Sequence, residues 1–418
     1  MQPTKSRHLV IIFAVTLAIL SYIDRVAVST AAPFISRDLH FDKTDMGYIF
    51  GAFGLAYALF EIPGGWMGDW MGARKVLMRI VIWWSFFTVA TGWMFSFWSM
   101  WITRFLFGAG EAGCFPNLTK TYTTWLPKDE QVRAQGITWL AARWGGAFTG
   151  PLVIAVFKLM DWRSAFAVFG AIGVVWAIFF YRWYRDNPAD HPSVNKEELA
   201  IIQASAQKVE NHGHVPWAKL IGNGSVWGLW LQYFLLSYPW YFYITWLPTY
   251  LQEHWKLTGP EAANLQIFPL FFGGIGAIFS GFISPRLAAR INSTSKARRI
   301  MSTIGFTGAA ALMYTATQMG SPLPAMLAMG MASFCNDLVM PNAWGACMDV
   351  GGKFAGTLSG SMNMMGNFAG LAAPLIAPYI LLYTANDWNQ VLTVMAAVYL
   401  CGAFVWPFID PVTPLKQD

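Results

Sequence analysis

Charged residues are scarce in this chain of 418 amino acids. Asp, Glu, Lys and Arg together make up 12% of it, against roughly 25% in an average soluble domain. So few charges could not cover the surface of a soluble enzyme of this length. Apolar residues make up 56%, enough for about twelve membrane spans of about 20 residues each. The composition therefore excludes a disordered chain, a disulfide scaffold and a basic nucleic-acid-binding protein, and it indicates a helical protein embedded in a lipid bilayer.

Groups that bind metals or act as nucleophiles are also few. The four cysteines lie in apolar stretches without a CxxC or Cys/His spacing, so we expect buried free thiols and no metal site. All six histidines lie outside the predicted spans, and neither HExxH nor GxSxG occurs in the sequence. A membrane-embedded hydrolase or lipid transferase is therefore only a remote alternative, and we expect no catalytic residues and no enzyme.

Twelve apolar stretches divide the chain into two sets of six. A polar segment at 185–219 separates the sets. We therefore expect an N-terminal six-helix bundle at 1–184, a cytoplasmic linker at 185–219 and a C-terminal six-helix bundle at 220–418. The predicted spans lie at about 9–32, 46–68, 76–97, 99–122, 134–157, 162–184, 224–250, 261–286, 299–318, 322–348, 354–382 and 386–409.

The basic residues sort by the side of the membrane. With both termini and the linker placed in the cytoplasm, 20 of the 28 Lys and Arg residues are cytoplasmic and three lie inside the spans. The other five fall on the outer side, at Arg37, Lys43, Lys158, Arg163 and Lys256. This excess is the positive-inside pattern. We expect the first span to remain uncleaved, because it is longer than a signal sequence and contains two charged residues.

The two sets of spans also echo each other. Residues 145–152 in the fifth span are similar to 366–370, followed by Pro374 and Leu375, in the eleventh. Each of these spans is the fifth helix of its half, and small residues at such spacing let helices approach closely. Chance similarity between Gly-rich helices is the alternative. Two related halves of six spans are one of the common plans of transporters.

The loop between the second and third spans resembles the signature loop of the major facilitator superfamily, which reads Gly-x-x-x-Asp-Arg-x-Gly-x-Arg. Trp70 stands where that pattern has a basic residue, and the matching loop of the second half has Pro285 in place of the acid. The resemblance implies an all-α polytopic membrane protein with 12 transmembrane helices in two pseudo-two-fold related halves. We expect a gating loop that latches the cytoplasmic side through its acid and its last arginine, with simple loop capping as the alternative. The matching residues are Gly65, Asp69, Gly72 and Arg74.

Finer features resemble the anion:cation symporter branch of that superfamily. The branch holds bacterial permeases for hexonates, hexuronates, glucarate and phthalate, together with animal sialin and vesicular glutamate transporters. The resemblance implies a small organic anion as substrate, the proton as coupling ion, no cofactor, and a bacterial inner membrane as the location; we expect a monomer. The features are Tyr22-Ile23-Asp24-Arg25, Tyr57 before Ile62-Pro63-Gly64-Gly65, Arg104-x₆-Glu111, Thr245-Trp246-Leu247-Pro248-Thr249-Tyr250-Leu251, and the Asn363/Asn367 pair.

Four charged residues inside the spans are the strongest site candidates, because a charge at bilayer depth costs at least about 2.5–3.5 kcal/mol. Arg104 and Glu111 share one helix face about 10.5 Å apart and cannot pair with each other. We expect Asp24 to pair with Arg104, which leaves Arg25 to bind a substrate carboxylate with two parallel hydrogen bonds. The alternative is that all four form a folding network.

In the resembling symporters, the residues that match Asp24 and Glu111 are proton sites. Those that match Arg25 and Arg104 belong to the binding and coupling network. Glu111 also has a local reason to carry a proton, because its small apolar neighbours disfavour the charged form of a carboxyl. We therefore expect proton coupling at both acids.

Arg143 is a third arginine inside the spans, where the resembling hexonate permeases carry a Gln near this position. It adds positive charge to the predicted cavity, which favours a dianion or a second carboxylate on the substrate. The alternative is a structural partner for an acid or for carbonyl groups.

Polar and aromatic side chains could line a sugar-acid site, because Asn and Tyr supply both donors and acceptors to hydroxyl groups. The candidates are Tyr22, Tyr57, Trp344, Asn363 and Asn367. Asn336 and Asp337 either line the pathway or pair locally. Glu61 shares a helix face with Tyr57, and we interpret it as part of the loop network between the second and third spans.

These features predict a proton-coupled symporter that imports an organic anion, most simply a hexonate, hexuronate or aldarate, by alternating access. The alternatives are a facilitator or exporter, or a symporter of a non-sugar carboxylate such as an aromatic acid.

Overall fold

The computed structural model describes residues 3–204, 217–351 and 355–415. The first half of the fold consists of α1 to α7, and α8 and α9 lie between the halves. The second half consists of α10 to α17. The helices are α1 Arg7–Leu39, α2 Lys43–Met71, α3 Ala73–Thr91, α4 Phe97–Glu111, α5 Cys114–Trp125, α6 Lys128–Phe157, α7 Trp162–Trp183, α8 Lys196–Ala204, α9 Trp217–Ile221, α10 Gly224–Thr245, α11 Leu247–His254, α12 Gly259–Leu265, α13 Ile267–Arg290, α14 Thr294–Ala316, α15 Pro322–Gly351, α16 Ala355–Tyr383 and α17 Trp388–Val405.

Eight helices in the described ranges are long and apolar enough to cross a membrane. They comprise α1, α2, α6, α7, the joined pair α12–α13, α15, α16 and α17. The other four predicted spans correspond to α3, to α14 and to two broken helices, α4–α5 and α10–α11. Part of the predicted linker, 205–216, lies outside the described residues. The polytopic all-helical architecture predicted from the composition is confirmed.

The predicted span at 99–122 is not one continuous helix. It breaks between α4 and α5, where Gly113 adopts a φ of 85°. A side chain at this position would also collide with α2, because a Cβ on Gly113 would lie 2.5 Å from the carbonyl carbon of Gly64. The close crossing of two glycines, and a backbone conformation that favours glycine, therefore set the break.

Helices α2 and α16 join the two halves. Along α2, three glycines face the backbone of α16, and a Cβ added to Gly54 would lie 2.3 Å from the carbonyl carbon of Gly370. Small residues at such a crossing permit close van der Waals packing in a membrane. Near the start of α2, Lys43 forms an ion pair of 2.7 Å with Glu253 of the second half. The halves are thus fastened to each other at the end of the bundle that holds these residues.

At the opposite end, the segment between the halves returns to the start of α1. The carboxylate of Glu198 on α8 is fully buried and accepts hydrogen bonds from the backbone N–H groups of Ser6 and Arg7, at 3.2 and 3.0 Å. It also accepts one from the Arg7 guanidinium at 3.3 Å. Since the first N–H groups of a helix have no partner within the helix, Glu198 takes the place of a capping residue for α1.

We predict that Glu198→Ala lowers thermal stability, because it leaves the backbone N–H groups of Ser6 and Arg7 without an acceptor. Each lost acceptor is worth about 1–3 kcal/mol. The measurement is the midpoint of thermal unfolding of the purified protein in detergent. Glu198→Gln is the matched control, since its amide oxygen still accepts a hydrogen bond, and its midpoint should lie between those of Ala and wild type. An unchanged midpoint for Glu198→Ala contradicts this account.

Candidate functional site

A cavity lies between the two halves, halfway along the long helices. Residues of α1, α2, α5 and α6 line it from the first half, and residues of α10, α15 and α16 line it from the second. Because both halves supply the walls, any rocking of one half against the other changes the cavity. Its lining includes Tyr22, Arg25, Tyr57, Arg143, Tyr233, Trp240, Tyr241, Asn336, Asn363 and Asn367.

The central ion pair joins α1 to α4. The Arg25 Nε donates to Glu111 Oε1 at 2.9 Å, and the Ser21 hydroxyl donates to the same oxygen. Both charged side chains are buried, with 9% of Arg25 and none of Glu111 exposed. Glu111 Oε2 has no hydrogen-bond partner among the described residues. The site thus holds an arginine whose resident partner is a carboxylate with one unsatisfied oxygen.

Aromatic rings surround the Arg25 guanidinium. Its Cζ lies 4.8 Å from the ring centre of Tyr57, 5.1 Å from that of Phe53 and 5.3 Å from that of Tyr22. Ring faces attract a cation without accepting its N–H groups. The Nη2 atom accordingly has no hydrogen-bond partner within the described part of the chain. Arg25 therefore keeps an N–H group free for a ligand.

The expected ion pair between Asp24 and Arg104 is wrong. In the described structure no nitrogen of Arg104 lies within 4.0 Å of Asp24, although both residues are 3% exposed. The Arg104 guanidinium packs instead over the ring of Phe107, at 4.2 Å. Consecutive residues on a helix point about 100° apart, so Arg25 faces the cavity and Asp24 faces the interior of the first half.

This placement also corrects the expected role of Arg104. It does not line the cavity among the described residues, so it has no direct access to a substrate there. Asp24 Oδ1 and Arg104 Nε both lack hydrogen-bond partners in the described ranges. Arg104 and Glu111 both act electrostatically on Asp24. The two residues therefore belong to the surroundings of Glu111 and not to the cavity wall.

A second ion pair crosses between the halves. Arg143 Nη2 on α6 donates to Asp337 Oδ1 on α15 at 2.9 Å, and the side chain of Asn336 donates to the same oxygen at 2.8 Å. The guanidinium of Arg143 also stacks on Trp240 at 3.4 Å from the ring centre. Two roles were expected for Arg143, a contact with the substrate or a structural pairing with an acid, and the structure shows the pairing with an acid. Arg143 nevertheless lines the cavity.

The buried carboxylate of Glu61 also forms hydrogen bonds across the interface between the halves, where the sequence analysis did not place it. Glu61 on α2 is 3% exposed and accepts hydrogen bonds from the side-chain amides of Asn363 and Asn367 on α16, the second at 3.1 Å. Asn367 Oδ1 in turn accepts from the Tyr241 hydroxyl at 2.6 Å. The interpretation of Glu61 as part of the loop network is wrong, because the glycine contacts bring α16 against this face of α2. Its spacing of four residues from Tyr57 was the available signal.

Tyr22 and Tyr57 line the cavity as expected, whereas Trp344 lies behind it. The Trp344 Nε1 donates to the Tyr233 hydroxyl at 3.2 Å, and it is Tyr233 that reaches the cavity. The expected contact between Trp344 and a substrate is therefore corrected to a supporting contact. Nothing in the local sequence distinguished Tyr233 from the many other aromatic residues of the spans.

The described residues of the gating loop contact the first half and the segment that directly follows α7. The Arg74 backbone N–H donates to Asp186 at 2.9 Å, and its guanidinium Nη2 donates to the carbonyl oxygen of Tyr181 at 2.7 Å. Gly72 has a φ of 83°, and a Cβ on Gly65 would meet Pro116 at 3.5 Å. The side chain of Asp69 lies outside the described residues. In this arrangement Arg74 fastens α3 to the end of α7.

Among the described residues, no three or more His, Cys, Asp or Glu side chains form a group that could hold a metal ion.

The chain is similar to transporters of small anions. It is 32% identical to the probable sulfoacetate transporter SauU of Cupriavidus necator, over 98% of this chain and 95% of that protein. It is 27% identical to the D-galactonate transporter of Escherichia coli, over 96% of this chain and 95% of that protein.

The fold is also similar to solved structures. A bacterial homolog of the human lysosomal transporter Spinster, in an inward-facing and unoccupied conformation, superimposes with a TM-score of 0.76 at 17% identity, covering 98% of both chains. The sequence profile of the Major Facilitator Superfamily matches residues 14–374. The chain therefore belongs to the Major Facilitator Superfamily and is an integral membrane transporter, not an enzyme.

Proposed function

We propose that this transporter imports a small organic anion together with protons by alternating access. The observation that carries the proposal is the buried Arg25–Glu111 ion pair beside a cavity that both halves line. We further propose a bacterial inner membrane as its location, with both termini in the cytoplasm, and a monomer as the working unit. The end of the bundle closed by Lys43 and Glu253 then faces outward.

The Arg25–Glu111 pair supplies a mechanism for coupling. An ionised Glu111 competes with a substrate carboxylate for the same guanidinium, since both are strong acceptors for Arg25. A protonated Glu111 is a weaker acceptor and releases Arg25 to the substrate. Protonation of Glu111 and binding of the anion therefore favour each other, and this linkage is reciprocal by thermodynamic necessity. After the substrate leaves, Arg25 recovers Glu111 and the proton departs.

The polar residues of the cavity support a sugar acid such as a hexonate, hexuronate or aldarate. Asn363, Tyr22 and Tyr57 bring donors, acceptors and ring faces to the cavity, and hydroxylated ligands need all three. The similarity to a D-galactonate transporter supports the same class. The higher identity to a probable sulfoacetate transporter favours a second candidate, a short non-sugar anion. Export or facilitated diffusion is the alternative for direction and coupling.

The test of the proposed function is uptake into proteoliposomes. The panel contains hexonates, hexuronates, aldarates, aromatic acids and sulfoacetate, each with and without an imposed pH gradient. We expect at least one sugar acid or short anion to accumulate only when the gradient is applied. Equilibration without accumulation indicates a facilitator. No uptake of any sugar acid contradicts the sugar-acid assignment.

We predict that Glu111→Gln abolishes gradient-driven accumulation, because Gln keeps the size and an acceptor oxygen but cannot carry the proton. Accumulation should fall about tenfold or more, to the level seen without a gradient, while exchange of labelled for unlabelled substrate continues. The assay is uptake of the substrate found in the panel. Asp190→Asn, an exposed acid between the halves, is the control and should accumulate normally. Normal accumulation by Glu111→Gln would disprove the proton site.

We also predict that Arg25→Lys weakens anion binding about tenfold or more, because an ammonium cannot offer two parallel N–H groups to a carboxylate. Binding is measured by calorimetry or by quenching of Trp fluorescence in detergent. The control is Arg37→Lys, which replaces an exposed arginine in the last turn of α1 and so tests the loss of a guanidinium as such. Equal dissociation constants for wild type and Arg25→Lys rule out the carboxylate clamp.

A further inference from the structure

We infer that the anion carried by this transporter bears two negatively charged groups, one bound at Arg25 and the other at Arg143. The inference rests on the proposed function and specifies its substrate class. Both guanidiniums line the same cavity, from α1 and from α6. Only 9% of the Arg25 side chain and 6% of the Arg143 side chain are exposed. A monocarboxylate requires only one of these arginines, so the second buried arginine beside the same cavity favours a ligand with a second negative charge.

Each arginine retains an N–H group for a ligand. Arg25 Nη2 and Arg143 Nη1 both lack hydrogen-bond partners within the described ranges. An aromatic ring packs against each guanidinium, at 4.8 Å for Tyr57 and Arg25 and at 3.4 Å for Trp240 and Arg143. The N–H groups at the edges of the guanidinium are the ones that bind carboxylates and similar anions.

Each arginine also has a resident carboxylate. Glu111 accepts from Arg25, and Asp337 accepts from Arg143, both at 2.9 Å. In both acids the second oxygen has no partner in the described part of the chain. The two ion pairs thus have the same arrangement. In each, a carboxylate of the protein accepts a hydrogen bond from an arginine that lines the cavity, and another nitrogen of that arginine has no partner among the described residues. Asp337 occupies the subsite that the second anionic group of the ligand would take.

A purely structural role does not account for the Arg143–Asp337 pair. Buried ion pairs are expensive to desolvate, and replacing one with apolar residues of similar volume is often neutral or stabilising. The pair also joins the two halves beside the cavity, where the halves must separate on one side during transport. When a ligand replaces Asp337 as the partner of Arg143, the buried arginine stays paired and the two halves are free to separate.

The exchange balances in charge. When a dianion binds, each of its anionic groups displaces one carboxylate from its arginine, and each displaced carboxyl takes up a proton from water. Two negative charges and two protons enter together, so the net charge of the site is unchanged. Asp337 keeps a hydrogen-bond partner in Asn336, at 2.8 Å, while Arg143 is occupied by the ligand.

The experiment compares ligands that differ only in one charged group. D-glucarate and D-gluconate form a long pair, and malonate and 3-hydroxypropionate form a short pair; in each pair a carboxylate replaces a CH₂OH group. Binding to the purified protein is measured by calorimetry, and uptake is measured in proteoliposomes with a pH gradient. In at least one pair the dianion should bind about tenfold or more tightly than its monoanion, because each charge-assisted contact adds about that much.

The double variant Arg143→Gln/Asp337→Asn removes both charges of the pair together, so no buried charge is left without a partner. We expect the ratio of monoanion to dianion dissociation constants to fall about tenfold or more. Asp337→Asn alone removes the competing carboxylate and should raise that ratio. If the Arg143–Asp337 ion pair has a structural role only, both variants lower the stability of the protein and leave the ratio of dissociation constants unchanged.

Proton uptake per labelled dianion should be about two, measured with a pH-sensitive dye.

The outcomes separate this inference from the proposed function. Accumulation of a monoanion with no preference for its dianion overturns the inference and leaves anion symport intact. No uptake of any member of either pair, or of the wider panel, overturns the proposed function itself. One proton per dianion excludes the exchange at Arg143.

Discussion

The burial of an arginine–glutamate pair in the middle of a membrane protein is the constraint on which the rest of the site depends. Arg25 and Glu111 stay together at 2.9 Å with almost no exposure to solvent. Removing one partner of such a pair leaves a buried charge uncompensated, at a cost of about 3–5 kcal/mol. The aromatic rings around Arg25 attract its positive charge without accepting hydrogen bonds from its N–H groups. The pair is therefore stable enough to persist, yet open to replacement by another anion.

Among the described residues, three buried carboxylates contact side chains that line the cavity, and two of them act between the halves. Glu111 pairs within the first half, whereas Asp337 binds Arg143 and Glu61 binds Asn363 across the interface. The apolar contacts between α2 and α16 hold the halves through backbone proximity, which is insensitive to charge. The polar contacts across the cavity respond to protons and to anions. The polar contacts can therefore change while the glycine contacts between α2 and α16 hold.

The sequence was sufficient to predict the twelve spans, the two halves and seven of the sixteen described residues that line the cavity, because hydropathy and buried charge are local signals. It was not sufficient to predict which charges pair. Asp24 and Arg25 are neighbours on one helix, and their roles depend on how α1 is rotated about its axis. Glu61 depends on a crossing of α2 and α16 that only glycines allow. Trp240 has no distinguishing neighbours in sequence, since its importance comes from its position under Arg143.

An ion pair across the interface also bears on leakage. Under the proposed cycle, moving the halves apart beside Arg143 breaks its contact with Asp337, and the broken pair must be compensated. A bound dianion supplies that compensation at Arg143, and a proton neutralises Asp337. A proton without substrate leaves Arg143 unpaired, and substrate without a proton leaves Asp337 charged and unpaired. Each partial state therefore carries a buried charge that the fully loaded state does not. This penalty makes movement of the loaded carrier cheaper than movement of either partly loaded form, which suppresses leakage of protons or of substrate alone.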